Sequence, residues 1–337
     1  MLLPASRGPV SASIVAALLR RDPLLLTPWP SGPGPDPVTD DDLQMALWIC
    51  YELHYQGFDD ADEAWEWQPE LIAVRRGLEH RLLQSLRRDV HVPDSDRPVP
   101  ARLQELVDAD NGPSLSRYIQ VHATWEQFHE FVMHRSIYQL KEADPHTWAI
   151  PRLNGRAKAA LVEIQVDEYG GGNPARMHSQ LYRNLMRGVG LDDTYGAYID
   201  CVPAVGLAIS NVMSMFGLRR ELRGALIGHL AAYEMTSSAS CRRYGKGLRR
   251  LGGSGAACDF YDEHVTADAL HEQLAAHDLC GGLAEAEPAL VEDIMFGAAT
   301  SLYIDTRFAE HVLGRWQGNR TSLRSLPLPA AELSRVS

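Results

Sequence analysis

Three residues, His264, Asp268 and His271, stand at spacing i, i+4, i+7 in Phe260-Tyr-Asp-Glu-His-Val-Thr-Ala-Asp-Ala-Leu-His-Glu-Gln-Leu. On an α-helix, steps of ~100° set them at roughly 0°, 40° and −20°, so all three side chains share one narrow sector. Two imidazoles and a carboxylate on one stripe make a set able to grip a metal ion. The competing reading is a solvated helix face, since the flanking Glu263 and Glu272 are at home in water.

A closed site needs further donors, sought among acids and histidines inside apolar helical faces. Glu168 ends the run Leu161-Val-Glu-Ile-Gln-Val-Asp-Glu, just before Tyr169 and three glycines, and His178 follows ten residues later. The glycines permit a tight reversal, which would bring Glu168 and His178 to one metal; a plain helix end followed by a structural turn is the alternative. Glu234 lies in the small, apolar segment 225–237. A buried carboxylate must be paired, protonated or bound to a cation, so Glu234 is a ligand or a buried partner of Tyr or Arg. Glu142 closes a helix before Asp144-Pro145, as a mobile ligand or an exposed helix end.

The set holds four carboxylates and three imidazoles. Mixed nitrogen and oxygen donors without thiolate suit iron or manganese, and zinc is admissible. Six or seven ligands exceed the needs of one zinc and suit two metals bridged by carboxylates, as helical bundles hold them. Glu126-Gln-Phe-His129 also has Glu-x-x-His spacing, but Glu130 and His134 make that stretch read as a polar, partly exposed helix without a ligand role. His229 points ~140° away from Glu234 on one helix and reads as core or as a group behind the ligands.

The elements that must position these residues read as helices throughout. Candidates are 42–54, 69–90, one long helix 115–143, 156–169, 173–187, 195–216, 219–236, 240–251, 255–277 and 287–316. No alternating strand pattern and no internal repeat occurs, so the fold class is all-α. Residues 1–38, rich in Pro and Gly toward their end, read as a flexible lead-in. Residues 39–110 read as an N-terminal helical module, 111–320 as the core that carries the chemistry, and 321–337 as a tail.

The chain has 337 residues, 45% hydrophobic and 23% charged, with a net charge of −12. The acidic balance argues against nucleic acid and anionic membrane partners. Five cysteines without a CxxC pair argue against a disulfide framework. The apolar patch 14–19 lacks a signal-peptide layout, so a cytoplasmic setting is expected. The longest apolar stretch, 198–218, is interrupted by Asp200, Pro203 and Asn211 and reads as a buried helix.

On Glu142, Glu168 with its Tyr169-Gly-Gly-Gly run, His178, Glu234 and His264-x3-Asp268-x2-His271, the chain resembles the haem-oxygenase-like diiron oxidases, which are iron-containing redox enzymes. Tyr51-Glu-Leu-His-Tyr-Gln-Gly-Phe58 and Trp65-Glu-Trp67 look similar to the N-terminal part of longer members, and the resemblance spans roughly residues 43–316. It implies a haem-oxygenase-like bundle binding two Fe ions through Glu142, Glu168, His178, Glu234, His264, Asp268 and His271, with O2 as co-substrate and an external reductant. Glu142 matches the extra carboxylate of N-oxygenating members. The expected function is therefore N-oxygenation of a small amine, guanidine or amino-azole in natural-product biosynthesis. Alternatives are a diiron desaturase or C–C lyase on an amino or fatty acid and, from another class, a metal-free helical binding protein. Asp167, Tyr261 and Asp262 are candidate groups behind the ligands, and Tyr198, Met213 and Tyr244 candidate pocket residues. The expected partners are the amine substrate and an electron donor. The module bearing Trp48, Trp65 and Trp67 packs on the core or on a second copy, with a homodimer as the expected assembly.

Overall fold

The computed structural model describes residues 1–27, 32 and 34–325, and for Asp268 and Ala269 the helical backbone alone. Among these residues every regular element is a helix. In order they are α1 (Pro9–Arg20), α2 (Asp41–Glu52), α3 (Pro69–Asp89), α4 (Val99–Asp108), α5 (Leu115–Val121), α6 (Trp125–Gln139), α7 (Asp144–Thr147), α8 (Gly155–Glu168), α9 (His178–Gly188), α10 (Ala204–Leu218), α11 (Arg223–Arg250), α12 (Ala256–Gln273), α13 (Gly282–Ala286) and α14 (Val291–Gln317). The all-α fold class expected from the sequence is the one observed among the described residues.

The bundle is built around α10, whose sequence Ala-Val-Gly-Leu-Ala-Ile-Ser-Asn-Val-Met-Ser-Met-Phe-Gly-Leu is buried on every side except at Leu218. A helix apolar all round belongs inside, and no helix among the described residues is long and apolar enough to cross a membrane. The polar interruption Asn211 is put to use: its Nδ2 donates to the carbonyl and side-chain oxygens of Gln44 at 2.8 and 2.7 Å, tying α2 to α10. The long helices α11 and α14 cross at reciprocal glycines. A Cβ on Gly228 would overlap the Ile294 carbonyl oxygen, and one on Gly297 would overlap that of Ala225. This close approach seats the middle of α11, with Glu234, on the core.

Several boundaries differ from the sequence reading, for local reasons. Pro9–Arg20 is a helix that buries Val10, Ile14, Ala17 and Leu18, not part of a flexible lead-in; Asp42 caps its start through the N–H groups of Val10 and Ser11. The expected helix 115–143 is broken by a capping box. Thr124 Oγ1 accepts from Gln127 N while Gln127 Oε1 accepts from Thr124 N, which starts a new helix at Trp125. Asn173 caps only the short turn 174–176, so His178 is the first residue of α9. The two helices expected over 219–251 are one, α11, and the end of the 255–277 helix widens into a π-helical stretch, Leu274–Gly281. One apolar core runs from Val10 to Leu323, through the N-terminal module and the remainder alike. Of the tail, residues 326–337 lie outside the described residues.

The turn between α8 and α9 uses left-handed backbone at Gly170, Gly171 and Gly172, with φ of 67°, 62° and 81°. At Gly170 a Cβ would also stand 2.6 Å from the Arg176 carbonyl carbon and 2.7 Å from the Met177 nitrogen, the backbone leading directly into His178. At Gly171 the space is open. Gly171→Ala is therefore expected to lower stability by about 1–2 kcal/mol, the cost of left-handed backbone alone, and Gly170→Ala by clearly more. Equal losses in urea unfolding would contradict this account of the turn.

Candidate metal centre

Two groups of donor atoms form where α6, α8, α9, α11 and α12 converge. Glu142, His178 and His264 make one, and Glu168, Glu234 and His271 the other, with the donor atoms of each lying within 4.8 Å of one another. The groups are joined at Glu168: its Oε2 is 2.9 Å from His178 Nδ1, with side chains 8% and 2% exposed. The glycine turn produces this juxtaposition by folding the last residue of α8 onto the first of α9. Glu234 Oε2 faces His271 Nδ1 at 3.4 Å, and Glu142 Oε2 faces His264 Nε2 at 3.6 Å.

The imidazoles are oriented from behind. His264 Nδ1–H donates to its own helix at the Phe260 carbonyl, 2.7 Å away, and turns Nε2 toward Glu142. His271 Nε2–H donates to Asp167 Oδ2 at 3.0 Å and turns Nδ1 toward Glu234. An outward N–H bond that leaves the inner nitrogen as a lone pair is the arrangement that metal-binding histidines require. Asp167 thus stands behind a ligand candidate as expected. Asp262 instead pairs with Arg249 on the surface, and Tyr261 lines the adjoining cavity.

The charges fit a cation. Burial pushes the Glu168 carboxyl up, but His178, His264 and His271 overcome this and hold it at about 2. Burial pushes His271 down, and Glu234 and Asp167, with Glu168, more than reverse this and raise it to about 9. His178 is raised in the same way by Glu168, against its burial. Glu168 Oε2, His178 Nδ1 and His271 Nδ1 are all buried without a partner of good hydrogen-bond geometry. Convergent, buried nitrogen and oxygen donors without thiolate, in two adjoining groups, are a set that iron accepts.

Glu142 is held more firmly than a helix end would be. With its amide turned to satisfy both neighbours, Gln139 donates to the two Glu142 oxygens at 2.5 and 2.8 Å and accepts from the Tyr138 hydroxyl at 2.7 Å. The residues on either side of it are pinned as well. Lys141 Nζ donates to Glu52 Oε2 at 2.7 Å in an ion pair 1% and 0% exposed. That oxygen also accepts from Tyr195 OH, and the ammonium lies 4.1 Å from the Tyr55 ring centroid. Gln165 of α8 donates to the Ala143 carbonyl, and Tyr169 to Asp144 Oδ1. The N-terminal module, through Glu52 on α2, therefore braces the turn that presents Glu142.

Six of the seven expected ligand residues are brought together. The seventh, Asp268, lies on α12 between His264 and His271, with its side chain outside the described residues. Glu126 and His129 belong to neither group. The helix that carries them is partly exposed as expected, with Glu126 exposed and His129 and Glu130 half-buried, but His134 is buried, and Glu130 accepts from Trp316 Nε1, Ser322 N and Ser322 Oγ. His229 is core, packed between His146, Phe216 and Tyr233. A cavity of about 110 Å³ meets Glu142, Glu168, Glu234 and His264 and includes Met213 and Tyr244. Tyr198 is elsewhere, accepting from the Asp192 N–H. Sequence reading missed Glu52, Lys141, Arg135 and Asp305; the available signal was a charge inside an apolar run, as in Phe131-Val-Met-His-Arg-Ser-Ile-Tyr and Leu302-Tyr-Ile-Asp.

The site is thus a pair of adjoining carboxylate–histidine groups inside an all-α bundle. Residues 129–306, more than half of the chain, match the iron-containing redox enzyme family, and the chain belongs to that family. It is also similar to a nitrosourea synthase of Streptomyces achromogenes subsp. streptozoticus, 25% identical over 198 residues. That match covers 57% of this chain and 42% of the relative, so the chain spans less than half of the relative's length.

The brace has a measurable signature. Lys141→Met leaves Glu52 buried and unpaired and is expected to cost about 3–5 kcal/mol, whereas Glu52→Gln with Lys141→Met removes both charges and should recover most of that loss. Urea unfolding of the two variants checks this; a double variant as unstable as the single one would show that the pair is not the linkage.

Proposed function

We propose that this chain is a non-haem diiron oxygenase that inserts oxygen from O2 at the nitrogen of a small amine, guanidine or amino-azole. The observation that carries the reading is the Glu168–His178 contact at 2.9 Å, which links the two three-residue donor groups. Membership of an iron-containing redox family supports iron as the metal. The likeness to a nitrosourea synthase, whose name denotes a product with oxidised nitrogen, supports nitrogen as the atom attacked.

Glu142, His178 and His264 would hold one iron and Glu168, Glu234 and His271 the other, with Asp268, on the helix of His264 and His271, as a further candidate ligand. Two irons held there supply the electron-transfer chemistry that O2 activation needs. The overall reaction balances as R–NH2 + O2 + 2e⁻ + 2H⁺ → R–NHOH + H2O, so an external electron donor is a required partner. The protein's own part is positional and electrostatic. Carboxylates favour the oxidised metals, and neutral imidazoles add no charge. Asp167 and the Phe260 carbonyl fix the His271 and His264 rings, Gln139 orients Glu142, and the aromatic wall of Phe131, Tyr138, Tyr182, Tyr233 and Phe260 limits water around the reacting nitrogen.

Chain reconstituted anaerobically with Fe(II) is expected to bind about two irons and to consume O2 when reductant and an amine substrate are present. His271→Ala should abolish O2 consumption, and Glu126→Ala should leave it intact. A wild-type stoichiometry of zero would favour a metal-free helical binding protein.

A further inference from the structure

Two cavities of opposite character reach the donor groups. The one of about 110 Å³ is walled by aromatic side chains, among them Phe131, Tyr138, Tyr182, Tyr233 and Phe260. A second, of about 300 Å³, is lined mainly by polar side chains, among them Lys141, Asp144, Tyr169, Ser179, Gln180 and Arg183. Among the described residues the two share Glu142, Ala143 and Glu168, so the two carboxylates form the partition between them. His178 lines the polar cavity, and Glu234 and His264 line the aromatic one. The polar cavity opens at the seam between the N-terminal module and the turn from α8 to α9, where Gln56 and Pro174 are exposed. Its inner end is formed by Glu142, Glu168 and His178 themselves.

The charge on its walls suits a divalent cation. Glu142, Asp144 and Glu168 supply three carboxylates. The cations Lys141 and Arg183 are engaged elsewhere: Lys141 Nζ closes on Glu52 at 2.7 Å, and Arg183 Nη1 donates to the Asp193 carbonyl at 2.5 Å. A cleft lined by one sign of charge concentrates ions of the other. Polar walls also exchange hydrogen bonds with the water that a divalent ion carries. An aromatic wall strips that water and returns no hydrogen bond, which makes it the costly way to bring a charge inside.

We propose that the polar cavity is the loading port through which Fe(II) and its water reach the donor groups, while the aromatic cavity takes the organic substrate. Gln56 gives the N-terminal module one lip of the port, and an entering ion meets Glu142, Glu168 and His178 before it meets Glu234 or His271. That the ion is iron, and that two are held, rests on the function proposed above; the route does not.

A plug placed after folding tests this. All five native cysteines are buried, so Gln56→Cys introduces an exposed thiol where the native chain has none, and a pyrenyl maleimide coupled to it obstructs the port. Ser240→Cys coupled in the same way obstructs the aromatic cavity instead. Uptake of Fe(II) by the metal-free full chain is followed by quenching with ferrozine, which reads the iron still free, and bound iron is counted at the end point. Unlabelled Gln56→Cys should load as the wild type does, and the labelled form about ten-fold or more slowly, to the same final count. The label on Ser240→Cys should leave the uptake rate unchanged. Gln180→Trp, which narrows the port without a label, should slow uptake as well and decides the matter if Gln56→Cys does not couple. Uptake indifferent to the plug at position 56, or slowed as much by the one at position 240, would overturn the proposal. The final counts separate the two claims. Two irons with a rate indifferent to the plug overturn the port alone, one iron arriving by a plug-sensitive route overturns the diiron reading alone, and no bound iron overturns both.

Discussion

Carboxylate charge taken out of water must be answered by positive charge close at hand, because an isolated ion in a low-dielectric interior costs far more than a domain's net stability. Glu168 and Glu234 are both buried inside this bundle, and Glu142 is half-buried beside them. The imidazoles of His178, His264 and His271 answer them in part, which is why Glu168 stays acidic at about 2 while His271 rises to about 9. Protons and metal ions compete for the same inner lone pairs in such a cluster. The arrangement of the surrounding helices follows from the need to bring these charges together and hold them.

Three devices do the holding. The glycine turn lays the end of α8 against the start of α9, so Glu168 meets His178 within ten residues of chain. Crossing glycines on α11 and α14 bring Glu234 onto the core. The buried pair Lys141–Glu52 braces the Glu142 turn from the N-terminal module, which lies outside the stretch matched by the family. The third device makes that module part of the site's architecture. A buried pair of this kind is weak evidence for stability, and its value lies in specifying one arrangement of the turn.

Much of this was legible in the sequence because the signals are local. The i, i+4, i+7 stripe needs only a helix, and the Glu168-to-His178 approach needs only a turn whose glycines announce it. The apolar run around Asn211 declared a buried helix. What escaped was set by partners distant in sequence. Arg135 and Asp305 are 170 residues apart, and Lys141 and Glu52 are 89 apart, so each looked like a stray charge on an apolar face. His134 and Glu130 made α6 look wet because their partners Ser322 and Trp316 come from the far end of the chain. The break at Thr124 and the helix Pro9–Arg20 depend on caps supplied by one or two side chains, which a periodicity argument does not weigh.

The central proposal is that the two donor groups hold two irons. The most direct measurement is an anomalous difference map from crystals of the iron-loaded protein, collected on either side of the iron absorption edge. Two iron peaks are expected, one among Glu142, His178 and His264 and one among Glu168, Glu234 and His271. A single peak, or iron bound elsewhere, would contradict it.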